Sequence, residues 1–207
     1  MVTPEDNRLL YAKWADTYET SFVEANRYRY PLAVAEHFAN QVPSSPGERI
    51  VDVGCGTGIV GTRLAALRPK CEIDGVDISP EMLAQARKKH RQDLSPVYRT
   101  LFEADLTKPI AAIHHEYDAL LSAGTFTHGH LGPEVIALLL LLVRPKGWFV
   151  IGINAEHFES RGFAETLATT TRSGLITAPD LHKIQVYELG SPHFGDQAVV
   201  ATFRRIN

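Results

Sequence analysis

The sequence has few cysteines and no long apolar stretch. It holds two cysteines, Cys55 and Cys71, among 207 residues. Two cysteines cannot supply the four ligands of a structural zinc site, and they do not make the dense framework of a disulfide-stapled secreted domain. The longest apolar run, residues 135–143, falls far short of the roughly 20 residues that cross a bilayer. The N-terminus shows no secretory signal, and we therefore expect a cytoplasmic protein without a membrane partner.

An excess of positive charge is also missing. Lysine and arginine together number 21 against 24 acidic residues, which gives a formal net charge of −3 at pH 7. Proteins that bind nucleic acid usually carry a basic surface, so no nucleic-acid partner is expected. The densest basic run, residues 87–91, lies where a helix is predicted to end, and the helix dipole favours positive side chains there. The sequence contains no indication of oligomeric state.

Strand-like and helical segments alternate along most of the chain, which has the length of one domain. Residues 1–43 are predicted to form an N-terminal helical cap, with helices at 4–22 and 27–41, and residues 48–207 to form the core. The alternation indicates right-handed βαβ units in a mostly parallel sheet, closed by an antiparallel pair. Predicted strands are residues 49–53, 71–77, 97–104, 117–122, 148–153, 182–189 and 198–204; predicted core helices include 59–67, one capped by Ser79, one opened by Pro133, and 155–171. In the first helix, Leu9, Leu10, Trp14 and Tyr18 fall on one stripe.

A glycine-rich turn follows the first predicted strand of the core and contains two overlapping patterns. Gly54, Gly56 and Gly58 read as G-x-G-x-G, whereas Gly56, Gly58 and Gly61 read as the dinucleotide-binding G-x-G-x-x-G. Because the apolar strand ends at Gly54, the turn begins there, which favours the first pattern. Gly61 then lies one turn into the following helix, where close packing is a sufficient reason for a small residue.

Acidic residues mark the carboxyl ends of the first three predicted core strands. They are Asp52, Asp77 and Asp105. Open α/β sheets bind ligands at this edge, so all three carboxylates are expected to face the ligand. They would repel the pyrophosphate of NAD and attract the sulfonium and ammonium groups of S-adenosylmethionine. An acid at Asp77 suits the ribose of either cofactor, so Asp52 and Asp105 are the residues expected to discriminate.

Four motifs in chain order resemble those of the class I S-adenosylmethionine-dependent methyltransferases. They are Asp-Val-Gly-Cys-Gly-Thr-Gly at 52–58, Gly-Val-Asp-Ile-Ser-Pro-Glu-Met-Leu at 75–83, Glu-Ala-Asp-Leu at 103–106 and Tyr-Asp-Ala-Leu-Leu-Ser at 117–122. Residues 11–18 resemble the N-terminal helix of the small-molecule branch, and residues 122–131 are similar to methyltransferase-like proteins of the Williams–Beuren region. The resemblance implies a Rossmann-like, doubly wound, mostly parallel seven-stranded sheet with a reversed last strand, flanked by helices, plus the N-terminal helices.

The resemblance also implies a site for S-adenosylmethionine, with S-adenosylhomocysteine as the product. The residues it assigns to the methionine part are Asp52, Gly54, Cys55, Gly56, Thr57 and Gly58. At the adenosine, Asp77 would bind the ribose between Ile78 and Met82, and Asp105 would bind the adenine amino group between Ala104 and Leu106. Ser122, Ala123 and Gly124 would border the sulfonium, and Tyr18 would close over the site.

Methyl transfer from this cofactor is an in-line displacement, and a base is needed only if the acceptor must lose a proton. The candidate bases are His128 and His130, which follow the fourth predicted core strand, since histidine titrates near neutral pH. Their spacing is also compatible with a pair of metal ligands. No acidic cluster accompanies them, however, so no metal is expected.

The methyl acceptor is predicted only as a class. The sequence lacks the Asn/Asp-Pro-Pro-aromatic motif of amino-methylating nucleic-acid enzymes and the Pro-Cys nucleophile of cytosine-C5 enzymes. A small molecule methylated on oxygen, nitrogen or sulfur is therefore predicted, in a pocket shaped by the N-terminal helices and residues 124–133 and 156–174. Two alternatives stay open. One is a non-catalytic S-adenosylmethionine-binding protein, and the other is an NAD-dependent oxidoreductase, although no tyrosine has the Y-x-x-x-K spacing of short-chain reductases.

Overall fold

The computed structural model describes residues 4–110, 117–127 and 129–207. The strands are β1 Arg49–Val53, β2 Glu72–Asp77, β3 Thr100–Glu103, β4 Tyr117–Phe126, β5 Val143–Asn154, β6 Asp180–Gln185 and β7 Gln197–Arg204. They form one seven-stranded sheet in the order β3-β2-β1-β4-β5-β7-β6. Neighbours from β3 to β5 pair in parallel, and β7 is antiparallel to both β5 and β6. The predicted fold class, with its reversed last strand, is confirmed.

Helices cover both faces of this sheet. They are α1 Pro4–Trp14, a π-helical segment Tyr18–Glu24, α2 Tyr30–Gln41, α3 Ile59–Leu67, α4 Pro80–Ala86, a 3₁₀ turn Pro133–Val135 that continues into α5 Ile136–Leu139, α6 Ala155–Ser160 and α7 Phe163–Arg172. Successive residues of β1 serve the two faces in turn: Ile50 belongs to one buried cluster, and Val51 and Val53 belong to the other. In the described part of the chain no helix is long and apolar enough to cross a membrane.

Several predicted boundaries are correct and others are not. β1 and α3 have the predicted bounds, and Ser79 caps α4 by accepting from the Met82 N–H at 3.2 Å. The predicted helix 155–171 is two helices, because Gly162 adopts a left-handed φ of 76° between them. The predicted helix 4–22 ends as an α-helix at Trp14.

The stripe predicted for the first helix is only partly buried. Leu9 and Leu10 are 47% and 53% exposed. The helix instead turns Asn7 and Tyr11 toward a cavity at the carboxyl edge of the sheet. There Asn7 Nδ2 donates to the Gly129 carbonyl oxygen at 2.8 Å, and the Tyr11 hydroxyl oxygen lies 3.1 Å from His130 Nε2.

A buried ion pair joins the end of α3 to the residue that precedes β1. Arg68 Nη1 lies 2.9 Å from Glu48 Oε1, and the two side chains are 4% and 3% exposed. Arg68 also donates to the carbonyl oxygens of Phe38, Ala39 and Val42, where α2 ends. One guanidinium therefore satisfies a buried carboxylate and a helix C-terminus at once.

Replacing this arginine should destabilise the fold strongly. We expect Arg68→Met to cost about 3–5 kcal/mol of unfolding free energy, because it leaves the Glu48 carboxylate buried without its partner. The measurement is urea unfolding followed by circular dichroism. The matched control is Arg172→Met, which breaks an exposed pair with Glu165 and should change stability little. Equal losses of stability in Arg68→Met and Arg172→Met would contradict a stabilising role of the buried Arg68–Glu48 pair.

Candidate cofactor and acceptor site

A cavity of about 420 Å³ opens at the carboxyl ends of β1, β2, β3 and β4. It lies where the strand order reverses between β1 and β4, which is the position at which open α/β sheets bind ligands. Its volume is within the range of small-molecule sites. Of the residues predicted for the site, those that line it are Tyr18, Gly54, Cys55, Gly56, Thr57, Asp77, Ile78, Met82, Ala104, Asp105, Leu106, Ala123, Gly124 and His130.

The glycine turn takes a shape that side chains would prevent. Gly54, Gly56 and Gly58 have φ values of 69°, 52° and 91°, all in the left-handed region. The N–H of Gly54 donates to the Val76 carbonyl at 2.8 Å, which ties the turn to β2. A Cβ on Gly54 would lie 1.9 Å from Thr125 Oγ1. The turn can therefore lie close to both neighbouring strands and present its backbone to the cavity.

Asp77, the last residue of β2, fixes the middle of this turn. One carboxylate oxygen accepts from the Gly56 N–H at 2.8 Å, and the other accepts from the Ser79 N–H at 2.9 Å. Burial raises the pKa of Asp77, and these hydrogen bonds act in the opposite direction. The carboxylate holds the turn and still faces the cavity, where it can accept hydrogen bonds from ligand hydroxyls.

Asp105 provides a second carboxylate just after β3. Its Oδ1 accepts from the Thr107 N–H at 2.9 Å, and its Oδ2 lies 3.0 Å from Lys108 Nζ. Burial raises the pKa of Asp105, but hydrogen bonds from Thr107 and Lys108 outweigh it and lower the pKa overall. The group is thus a carboxylate at neutral pH, with part of its charge offset by the lysine.

The Thr57 hydroxyl is a buried polar group that the described residues leave without a hydrogen-bond partner. The residue is 2% exposed and borders the cavity. A buried hydroxyl without a partner costs free energy. A polar ligand group beside the glycine turn would satisfy it, so the Thr57 hydroxyl is a candidate contact for such a group.

Three predicted site residues do not line the cavity: Asp52, Gly58 and Ser122. Asp52 is fully buried, and its Oδ2 accepts from the Tyr98 hydroxyl at 2.7 Å. It points to the Ile50 side of β1 because strand residues alternate between faces. The expectation that three carboxylates of the strand ends face the ligand is therefore wrong for Asp52. Ser122 is also buried, and its hydroxyl donates to the Val53 carbonyl at 2.7 Å.

The side chain of Tyr98 explains why the last position of the second pattern, Gly61, is a glycine. A Cβ on Gly61 would lie 2.3 Å from the Tyr98 hydroxyl oxygen, so only glycine fits there. The prediction that Gly61 is small for close packing is confirmed. The pKa of the Asp52 carboxyl is raised to about 7, mainly by burial, and the hydrogen bond from Tyr98 acts in the opposite direction. Asp52 thus accepts a hydrogen bond from the tyrosine that packs against Gly61.

The far end of the cavity is built from segments that are distant in sequence. The regions expected to shape it, the N-terminal helices and residues 124–133 and 156–174, do line it. Polar and aromatic residues there that sequence reasoning missed are Asn7, Tyr11, Tyr28, Glu134, His157 and Arg161. Tyr11 could have been found, because it precedes Tyr18 by two helical turns. No sequence signal marks His157, whose Nε2 lies 2.9 Å from the Leu131 carbonyl oxygen.

The two histidines predicted as candidate bases have different outcomes. His130 lines the cavity, and its Nε2 lies 3.1 Å from the Tyr11 hydroxyl oxygen. His128 lies outside the described residues. Among residues 4–110, 117–127 and 129–207, no group of three histidine, cysteine, aspartate or glutamate residues is placed to hold a metal ion.

Strand order separates this fold from the dinucleotide-binding one. NAD-binding Rossmann domains have six parallel strands in the order 3-2-1-4-5-6. Here an antiparallel β7 lies between β5 and β6. This sheet, with a glycine turn after β1, Asp77 at the end of β2 and Asp105 after β3, has the arrangement that the resemblance to methyltransferases implied.

Comparison with known proteins agrees with this class. Residues 50–147 match the family model described as a methyltransferase domain. An uncharacterised protein of Synechococcus is 31% identical over 144 residues, which are 69% of this chain and 34% of that protein. The ubiquinone biosynthesis O-methyltransferase of Burkholderia multivorans is 26% identical over 160 residues, 68% of this chain and 67% of the enzyme. The chain therefore spans about a third of the first relative's length and about two thirds of the second's.

A solved structure shares the fold over the whole chain. It is the 1,6-didemethyltoxoflavin-N1-methyltransferase of Burkholderia thailandensis, with bound 1,6-didemethyltoxoflavin and S-adenosylhomocysteine. The TM-score is 0.65 at 17% identity, covering 100% of this chain and 92% of the other. This likeness shows a shared fold, and the match of residues 50–147 to the methyltransferase domain supports a class I S-adenosylmethionine-dependent methyltransferase.

The buried carboxyl of Asp52 should make stability fall as pH rises. Its pKa is about 7 in the folded state and about 4 in an unfolded chain. Between these values the unfolded chain releases a proton that the folded protein retains, so unfolding becomes easier with rising pH. Asp52→Asn cannot ionise. We expect it to match wild type near pH 4 and to exceed it by roughly 2–4 kcal/mol at pH 8.

The measurement is urea unfolding at several pH values between about 4 and 8. The control is Asp93→Asn, an exposed carboxyl that is hydrogen-bonded to Ser95, which should keep the wild-type slope. A constant difference between Asp52→Asn and wild type at all pH values would contradict the raised pKa.

Proposed function

We propose that the chain transfers a methyl group from S-adenosylmethionine to an oxygen, nitrogen or sulfur atom of a small molecule. One observation carries the proposal: the glycine turn, Asp77 and Asp105 surround a single cavity at the switch point of a sheet whose last strand is reversed. The family match and the methyltransferase relatives support the reaction type. The relatives named above methylate oxygen in one case and nitrogen in another, so the proposal does not choose between these atoms.

The cofactor would lie along the edge of β1, β2 and β3. Backbone groups of Gly54 to Thr57 would hold its methionine part, and the Thr57 hydroxyl would gain a partner there. Asp77 would accept from both ribose hydroxyls. A hydrogen bond to a charged group contributes about 1.5–3 kcal/mol, so this residue should account for much of the affinity.

The adenine would lie beyond the ribose, between side chains that line both sides of the cavity. Ile78 and Met82 would contact the adenosine from the start of α4, and Ala104 and Leu106 would contact the ring from the end of β3. Asp105 would accept from the adenine amino group, which matches its ionised state. Apolar walls with a few placed acceptors are typical of nucleoside sites.

The reacting methyl group would lie near Ala123 and Gly124 of β4, with Tyr18 closing over it. The bound cofactor supplies the methyl group and its own leaving group. The protein's residues then align the acceptor atom opposite the departing sulfur and exclude water. Orientation of this kind can account for roughly 7–11 kcal/mol of barrier lowering.

The two alternatives receive less support from the cavity. NAD would bring a pyrophosphate dianion into a cavity that the Asp105 carboxylate lines, and like charges repel. A non-catalytic cofactor-binding protein would have its acceptor end filled by side chains. Here the cavity continues past the glycine turn to His130, His157 and Arg161, which leaves room for a second molecule.

The names of the relatives support a small-molecule acceptor. The Burkholderia relatives are O-methyltransferases of ubiquinone biosynthesis, and the structural neighbour methylates a nitrogen of 1,6-didemethyltoxoflavin. Both acceptors are small molecules. We propose the same acceptor class for this chain, in the part of the cavity bounded by α1, α6 and the loop after β4.

Cofactor binding should depend on Asp77. We expect S-adenosylmethionine and S-adenosylhomocysteine to bind wild type, and Asp77→Asn and Asp77→Ala to weaken both by roughly 10-fold and 100-fold. NAD should not bind. Isothermal titration calorimetry measures all three ligands, and Asp93→Ala is the control that should bind like wild type. Binding of NAD alone would overturn the proposal.

The acceptor is found by incubating the protein with isotopically labelled S-adenosylmethionine and a panel of phenols, alcohols, amines and thiols. Product formation by wild type, lost in Asp77→Ala, would establish turnover and the methylated atom. Tight cofactor binding with no product across the panel would favour the non-catalytic alternative.

A further inference from the structure

We propose that the Tyr11 hydroxyl and the His130 imidazole form a proton relay that takes the proton from the methyl acceptor during transfer. The inference rests on the proposed function and deepens it. It makes Tyr11 a catalytic residue, and it requires an acceptor with a removable proton, such as a hydroxyl, a thiol or an N–H group.

The two side chains come from separate parts of the fold and meet in the cavity. Tyr11 belongs to α1, and His130 belongs to the loop after β4, 119 residues further along the chain. The hydroxyl oxygen and Nε2 are 3.1 Å apart, which is hydrogen-bond distance. Both residues line the cavity that contains the glycine turn.

A second contact holds Tyr11 in register with this loop. One helical turn earlier, Asn7 Nδ2 donates to the carbonyl oxygen of Gly129 at 2.8 Å. Residues four apart lie on the same face of a helix, so α1 is tied to residues 129 and 130 by two successive turns. The Tyr11 ring also stacks on Trp14, with centroids 6.4 Å apart. These contacts place the hydroxyl oxygen in a defined position.

The hydrogen bond can persist in both protonation states of the histidine. Burial, with a smaller contribution from Asp77, raises the pKa of Tyr11 to about 12, so the phenol keeps its proton at neutral pH. It can therefore donate to Nε2 of neutral His130. When the imidazole gains a proton, its Nε2–H can donate to the phenol oxygen. A relay needs this reversal of direction.

The proposed step balances without another reactant. The bond from the acceptor atom to the methyl carbon forms while the carbon–sulfur bond breaks. The acceptor's proton passes to the Tyr11 oxygen, and the proton that Tyr11 held passes to Nε2 of His130. The positive charge lost by the sulfonium appears on the imidazolium, so the charge inside the site is unchanged.

The charges around the pair favour that final state. The titratable side chains that line the same cavity, apart from the tyrosines and His130 itself, are the neutral thiol of Cys55, whose pKa burial raises, and Asp77, Asp105, Glu134, His157 and Arg161. Three are carboxylates, which stabilise a nearby imidazolium, and Arg161 acts in the opposite sense. The carboxylates that would attract a sulfonium would also stabilise the cation that replaces it.

The first test needs no acceptor. Tyrosines carrying ¹³C at the ring carbon that bears oxygen are followed by NMR from about pH 5 to 8, with S-adenosylhomocysteine present. We expect the Tyr11 resonance, assigned by its loss in Tyr11→Phe, to titrate across this histidine range. The inflection should disappear in His130→Gln, which separates His130 from other groups that titrate nearby.

Tyr117 is the internal control. Its hydroxyl donates to Asp74 at 2.8 Å. Burial raises the pKa of Asp74, but hydrogen bonds from Arg99 and Tyr117 outweigh it and keep that pKa below its usual value. The Tyr117 resonance should therefore stay constant over the same range. A Tyr11 resonance as constant as that of Tyr117, with the ligand bound, would overturn the relay and leave the cofactor proposal intact.

The second test uses the acceptor identified by the panel. Tyr11→Phe and His130→Gln should each lower kcat by about 10²–10⁴-fold, and the double variant should lose no more than the worse single variant. The KM for S-adenosylmethionine should stay constant. Tyr187→Phe, which removes a hydroxyl outside the cavity lining, should keep wild-type kcat. Independent, multiplicative losses would overturn the relay, whereas failure of S-adenosylhomocysteine to bind would overturn the proposed function itself.

Discussion

The geometry of the site depends on how one buried tyrosine fits against glycines. The Tyr98 ring fills the space left free at Gly58, Gly61 and Gly75, where a Cβ would lie 3.0, 2.3 and 3.0 Å from its atoms. Its hydroxyl donates to Asp52. These contacts fix the separation of β1, β2 and α3, and the turn that joins β1 to α3 inherits its shape from them. Gly58 and Gly61 therefore serve packing against Tyr98, whereas Gly54 and Gly56 line the cavity.

The two halves of the cavity are built by different means. Its cofactor half comes from the ends of adjacent strands, so a short stretch after each strand sets its chemistry. Asp77 illustrates this, because the same carboxylate holds the Gly56 N–H and faces the cavity. The acceptor half has no such local origin. It exists because α1 and α6 pack against the loop after β4, through contacts such as those of Asn7 with Gly129 and His157 with Leu131.

This difference decides what could be predicted from the sequence. β1, α3 and the Ser79 cap follow from short-range patterns, and the structure has them where predicted. The orientation of Asp52 was mispredicted because position at a strand end does not say which face a side chain takes. Leu9 and Leu10 belong to the stripe of the first helix and are nevertheless exposed, because helical periodicity does not say what a stripe packs against. His157 and Arg161 gave no signal, since only tertiary packing brings them to the site.

Because Asp52 does not line the cavity, the argument from charge for S-adenosylmethionine over NAD becomes weaker. Charge at the strand ends discriminates less than three facing carboxylates would, and Asp105 is partly offset by Lys108. Topology discriminates better, because the antiparallel β7 separates this sheet from the dinucleotide-binding order. In the proposed reaction, the positive charge passes from the sulfonium to an imidazolium, and Asp77 and Asp105 would stabilise this charge by their electrostatic field. A site that stabilises a sulfonium before transfer can stabilise an imidazolium after it, provided that the proton acceptor borders the same cavity, as His130 does.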